Sequence, residues 1–194
     1  MKHYILKTTQ KGGITYNGFQ WPTEVGAKVT APDWEPTTEC GNGLHGWLNG
    51  KGKGTIGHIG REDCLWMVLE TDAYIDLGDK VKFESCTILH VGDRLSATKF
   101  LRNLVPDVTR MIGESIEVGD KQDAIVGDYG TATAGHGGTA TAGNYGTATA
   151  GAYGTILIKY FNNGRYRILT GYIGEDDLEP DTPYKVENGK FVKA

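Results

Sequence analysis

Long apolar runs are missing from this 194-residue chain. The longest, CLWMVL at 64–69, is far short of the ~20 residues a helix needs to cross a bilayer. The start, MKHYILKTTQ, lacks the apolar core and small-residue cleavage site of a secretory signal. Cysteine is scarce and odd in number, three in all, which fits reduced thiols rather than a disulfide framework. A cytoplasmic location is therefore expected. Charge of one sign is missing too: 20 Lys and Arg stand against 24 Asp and Glu, a net charge of −4. No basic stripe marks a nucleic-acid partner, and none marks a membrane surface.

What the chain has in excess is glycine, 29 residues, about double ordinary usage. Much of it lies in a repeat with a strict period of eight. From Asp120 the units read DKQDAIVG, DYGTATAG, HGGTATAG, NYGTATAG and AYGTILIK, ending at Lys159. A flexible linker has no reason to keep a period. Each unit holds five alternating residues and a three-residue glycine corner, which is the grammar of a β-solenoid. Eight residues cannot close a turn, so two octads per turn of a flattened roll are expected.

The irregular end units show which side faces inward. Asp123 occupies the place of Thr131, Thr139, Thr147 and Thr155, so that position faces solvent. Ala124, Ala132, Ala140, Ala148 and Ile156, with Val126, Ala134, Ala142, Ala150 and Ile158, never carry a polar group and form the interior. An alanine interior is thin, and five octads alone bury little apolar area per ordered residue. Support is expected from a flanking domain or from other copies. The threonine faces Thr131/Thr133, Thr139/Thr141 and Thr147/Thr149 are the expected surfaces of a homo-oligomer, with a trimer the first expectation. Thr-x-Thr pairs also resemble ice-binding solenoids. With about two rungs per face, the array is too small for a crystal surface, and the structural reading is favoured.

The flanks read as a β-rich α+β protein. HYILKT, GITYNGFQW, AKVTA, CLWMVLETD and KVKFESCTILHV have the alternation and β-branched or aromatic content of strands. GDRLSATKFLRNLVP at 92–106 is the one convincing helix, with Asp93 as N-cap, Leu95, Phe100, Leu101 and Leu104 near one face, and Pro106 as the stop. Hairpins are expected at Asn162-Asn163-Gly164 and at Asn188-Gly189, the latter a strong two-residue turn signal. The expected organisation is an α+β body at 1–119, an octapeptide β-roll at 120–159 and C-terminal hairpins at 160–194.

The densest chemistry lies in ECGNGLHGWLNGKGKGTIGHIGREDC, residues 39–64. Its glycines read as a surface loop. Backbone N–H groups with Lys51 and Lys53 offer an anion cradle, and Cys40, Gly43, His45 and Trp47 complete the candidate ligand-binding set. No P-loop frame is present. Cys40, His45, His58 and Cys64 have the residue types for zinc but not a zinc half-site spacing, so no metal is expected. No nucleophile elbow or cysteine-nucleophile box occurs, no catalytic residue is assigned, and no cofactor is implied.

Taken in order, NGFQWPTEVGAKV, the box Cys40-Gly41-Asn42-Gly43-Leu44-His45, the helix, the Gly-Ala-Thr octads and LEPDTPYKVENGKFVKA resemble an uncharacterised phage and prophage family. The octads also resemble the head repeats of trimeric adhesins, where rolls associate side by side. The phage resemblance implies this organisation and a viral origin, and the expected function is that of a non-enzymatic accessory binding protein, oligomerised through its roll, in the cytoplasm of a bacterial host. Such a protein would act against host defence by gripping a host protein or sequestering a nucleotide-like small molecule. The alternatives are an enzyme acting on a nucleotide through the His45 segment, and a structural virion protein.

Overall fold

A computed structural model describes residues 1–16, 18–54, 57–59 and 63–194. The protein is β-rich, with one α-helix and several sheets among the described residues and no closed barrel. It divides into two compact units, Met1–Val108 and Thr109–Ala194. Residues 109–119 and 160–194 therefore group with the octads.

In the first unit, β1 (His3–Thr9), β2 (Lys28–Thr30), β3 (Leu44–Leu48), β4 (Leu65–Thr71), β5 (Ile75–Asp76), β6 (Val81–Phe83) and β7 (Ser85–Gly92) form one sheet in the order β2-β7-β4-β1-β3-β6-β5. Every pairing is antiparallel. One face buries Ile5, Met67, Leu69, Phe83 and Ile88 beneath Trp21 and Val29. The helix α1 (Arg94–Leu104) packs against β1, β4 and β7 through Ala97, Thr98 and Leu101. Asp93 caps it, its side chain accepting from Ser96 N at 2.8 Å. Leu95 is exposed rather than buried. The contacting residues 97, 98 and 101 share one side of the helix, and Leu95 lies about 115° around from its centre. GITYNGFQW is not a strand but a loop closed by one bridge, Ile14 to Gln20, with Asn17 outside the described residues. The segment expected as a glycine-rich loop contributes β3, an interior strand of the sheet.

In the second unit, alternate octads enter different sheets. β8 (Ser115–Val118), β10 (Thr131–Ala134) and β12 (Thr147–Ala150) pair in parallel, as do β9 (Asp123–Ile125), β11 (Thr139–Ala142) and β13 (Thr155–Asn162). Partners lie sixteen residues apart, for example Thr131 with Thr147 and Ala140 with Ile156. The alanines of both sheets meet in one buried cluster with Val126, Ile156 and Ile158. A sixth unit, IGESIEVG at 112–119, precedes the five read from sequence. Its strand β8 pairs with β10, and its second residue, Gly113, has φ 72°. That second position is left-handed in every unit: Lys121, Tyr129, Gly137, Tyr145 and Tyr153 have φ between 56° and 63°.

The C-terminal strands finish both sheets. β14 (Arg165–Tyr172) pairs antiparallel with β13 across Asn163-Gly164, and β15 (Tyr184–Glu187) with β16 (Lys190–Lys193) adds to β12. Both turns, Asn163-Gly164 and Asn188-Gly189, have two positive φ values, as a type I′ turn requires.

The corners explain the glycine that ends every unit but the last, which ends at Lys159. A Cβ on Gly143 would lie 2.4 Å from Asp128 N and 2.5 Å from Gly127 C, so the neighbouring corner's backbone fills the space. The carboxylate of Asp128 then accepts from Asn144 N, and that of Asp120 from His136 N, each at 2.9 Å. Gly119 occupies the same octad position at the open end and meets nothing nearer than Gln122 Nε2 at 3.6 Å. Gly143→Ala is therefore expected to cost about 2–4 kcal/mol, whereas Gly119→Ala stays within about 0.5 kcal/mol or stabilises. Urea unfolding of both variants, followed by the far-UV signal, checks the contrast; equal effects would refute the packing account.

Candidate functional site

Two surfaces carry the chemistry available to this chain. The first is a cavity of about 520 Å³ in the first unit. β1 and β3 pair only at Ile5–Leu48 and Leu6–Trp47. Past that point the cavity opens beside Lys7 and Thr8 of β1 and Leu44–Trp47 of β3. Gly46 makes the close approach possible, since a Cβ there would meet Ile5 Cγ2 at 2.3 Å. Gly43, at φ 154°, lies where a Cβ would strike Lys82 Cγ at 2.8 Å and Trp34 Cε3 at 3.0 Å.

The walls are aromatic. Phe19 and Trp21 meet edge to face at 5.8 Å, and Tyr16 stacks on His58 at 4.2 Å. Trp47 is buried, and its Nε1 donates to Lys53 O at 3.2 Å. The cations are Lys7, whose Nζ lies 5.3 Å from the centre of the Trp21 ring, and Lys80, whose Nζ lies 3.0 Å from Cys40 Sγ. Burial, and then the charge of Lys80, push the Lys7 ammonium down to about 8.

Cys40, Gly43, His45 and Trp47 all line this cavity, and His58 joins them. Lys51 and Lys53 do not: both are exposed, and Lys53 contributes only backbone, its N–H donating to Asp79 O at 3.0 Å. Cys64 is not in the lining either, and no three of His, Cys, Asp and Glu converge as metal ligands among the described residues. Lys7 and Lys80 were missed by sequence reading. Lys7 sits in a plain strand, and only the splaying of β1 from β3 gives it a cavity.

The second surface is the outward side of the octads. Thr131, Thr133, Thr147 and Thr149 form a two-by-two block on one sheet, beside Ser115 and Glu117. On the other sheet Thr139, Thr141 and Thr155 lie next to Leu157 and Ile125. Through the β13–β14 pairing that side continues into Phe161, Tyr166, Ile168 and Tyr172, all exposed.

Residues 4–103 match the family described as a domain of unknown function (DUF7666). The chain belongs to that family. It is also similar to ice nucleation proteins of bacteria: 32% identical over 104 residues to ice nucleation protein InaU of Pantoea ananas, covering 52% of this chain and 10% of that protein. An ice nucleation protein of Enterobacter agglomerans is 32% identical over 104 residues (52% and 8%), and one of Pseudomonas fluorescens 30% over 108 residues (54% and 9%). The chain thus spans a tenth or less of the length of these relatives. No solved structure matches it.

These findings overturn the phage and prophage resemblance. It rested on short glycine-rich motifs and on octads of small residues. With it fall the counter-defence role, the nucleotide-enzyme and virion alternatives, and the placement in a host cytoplasm.

His45 gives the cavity a measurable signature. Its Nε2 is buried and has no hydrogen-bond partner among the described residues. Burial lowers its pKa to about 4, helped by the charges of Lys80, Lys7 and Lys82 and opposed by its bond to Gly43. The unfolded chain, with an ordinary value near 6.5, takes up the proton first, so stability falls as pH drops from about 6.5 to about 4. Between pH 7 and pH 5 this amounts to about 1 kcal/mol, roughly half the unscreened value because the ring is partly exposed. His45→Gln is expected to flatten the pH dependence of urea unfolding in that window; an unchanged slope would refute it.

Proposed function

We propose that residues 112–159 form a short β-solenoid of three two-octad turns that presents an ordered threonine lattice to water and acts on ice. The DUF7666 unit at 1–108 accompanies it as a separate domain, and 160–194 serves as the end cap of the stack. The observation that carries the reading is the in-register block Thr131, Thr133, Thr147 and Thr149 in a chain similar to ice nucleation proteins. Parallel pairing spaces such hydroxyls and methyls by about 4.8 Å across strands and about 6.6 Å along them. A flat, repeated array of that kind orders adjacent water where scattered threonines do not.

Size is the limit of a single copy, since the gain from ordering water grows with the area of the array. Two rungs make a weak template, and assembly enlarges it. The two faces divide the work. The Thr131 face is bounded by Ser115, Glu117, Lys185 and Glu187, which favour hydration, whereas the Thr139 face runs into Leu157, Phe161, Tyr166, Ile168 and Tyr172 with Lys159 among them, its Nζ over the Tyr166 ring. An apolar strip of that kind is covered by another copy of the chain, so the homo-oligomer, a trimer as first expectation, forms there. The threonine block of the first sheet is left outward.

Droplet freezing tests this reading. The protein is expected to raise the freezing temperature of buffer droplets, increasingly with concentration. Thr133→Lys with Thr149→Lys is expected to abolish the rise while leaving the circular dichroism spectrum and sedimentation unchanged, because both side chains point away from the alanine interior. Ile168→Lys is expected to weaken both assembly and freezing. Droplets that freeze as buffer does, at concentrations where the protein sediments as an oligomer, would refute the function.

A further inference from the structure

Lys7 and Lys80 both line the first-unit cavity, and among the described residues no acid pairs with either. Among the described residues Lys7 makes no hydrogen bond or ion pair, and the contact of Lys80 is to a thiol, that of Cys40. The acidic residue in the lining, Asp33, pairs with neither. A cavity with two cations and no matching carboxylate carries a net positive potential, and a low-dielectric wall strengthens it. Burial first, and then the cost of charging Lys7 beside Lys80, hold the Lys7 ammonium below an ordinary lysine. An anion placed between them removes that cost.

The walls restrict which anion. Among the described residues no arginine lines the cavity, and its cations there are lysines, point charges without the planar two-pronged grip that suits phosphate. Tyr16, Phe19, Trp21 and Trp47 instead offer aromatic surface to a flat apolar body, and a volume of about 520 Å³ suits a small molecule rather than a chain segment. His45 adds a third element. Its contact with Gly43 uses the ring nitrogen other than the unpartnered Nε2. With Nδ1 donating to that carbonyl in the neutral ring, Nε2 is an acceptor awaiting a donor.

We propose that the cavity binds a small aromatic carboxylate bearing a hydroxyl, its carboxylate between Lys7 and Lys80, its ring against the aromatic wall and its hydroxyl donating to His45 Nε2. The two ammonium groups supply the charge, the tryptophans the stacking, and His45 the selection among ring substituents. This site is independent of the threonine lattice and stands or falls without it.

Titration calorimetry on the full chain tests it with four probes: 3- and 4-hydroxybenzoate, benzoate and 4-hydroxybenzamide. One of the hydroxybenzoates is expected to bind saturably with one site per chain. Benzoate should bind several-fold more weakly and the neutral amide at least tenfold more weakly. Lys7→Met should cost at least tenfold in hydroxybenzoate affinity without lowering the unfolding midpoint, because it removes a partly buried charge. Lys80→Met, at an exposed contact, supplies the same test should Lys7→Met fail to fold. His45→Phe should erase the preference for hydroxybenzoate over benzoate. Binding of the amide as tight as that of the carboxylate, affinity indifferent to both lysine variants, or no heat from any probe at millimolar concentration would each overturn the assignment.

Discussion

The second unit depends on how closely one corner of backbone can lie on the next. At Gly143 the neighbouring corner comes within 2.4 Å of where a Cβ would stand, and Gly127, Gly135 and Gly151 are equally confined. That approach lets sixteen-residue partners pair in register, and register in turn places alanine on alanine and threonine on threonine. The residues of the corner then take compensating roles. The second position is left-handed even where it is tyrosine, a conformation that costs a bulky residue of order 1 kcal/mol or more. Part of that cost is offset where Tyr129 stacks on Tyr145 at 5.1 Å. The carboxylates of Asp120 and Asp128 satisfy N–H groups that the corner leaves outside the strand ladder.

The first unit follows a different logic. Its sheet is held by large side chains, with Trp21, Phe83 and Met67 buried, and its glycines are concentrated where β3 crosses β1. A core of that kind tolerates a local loss of pairing, and the loss falls beside Lys7 and His45. The ionisable groups there are expensive in the folded state, with His45 held neutral and Lys7 shifted well below an ordinary lysine. Proteins keep such groups where they act, and the threonine lattice makes no use of them.

Much of this was legible in the residues themselves. The period of eight, the inward alanines, the Asp93 cap and the two Asn-Gly turns follow from local chemistry, because each is decided within a few residues. IGESIEVG was not legible as a repeat: it shares the corner conformation and the spacing, but none of the Thr-Ala signature. β3 was hidden because five of its neighbours in sequence are glycines, and only the long-range fit against Ile5 and Leu6 makes Leu44–Leu48 a strand. The cavity was half legible. Cys40, Gly43, His45 and Trp47 announce themselves by type, while Lys7 and Lys80 line one cavity only once the sheet sets β1 and β6 on either side of β3. The ice-binding resemblance of Thr-x-Thr was visible and was set aside on a count of rungs; the relatives give it the weight that a count on one copy could not.

The alternation of octads between two sheets also governs how such a chain can change length. Loss or gain of one octad would deliver β14 and the β15–β16 hairpin to the wrong sheets, pairing each with a strand end it was not shaped to cover. Only steps of sixteen residues carry the terminal strands back to their own partners. Changes of length that keep these pairings are thus quantised, and the unit of growth is the pair of octads rather than the octad that the eye first sees.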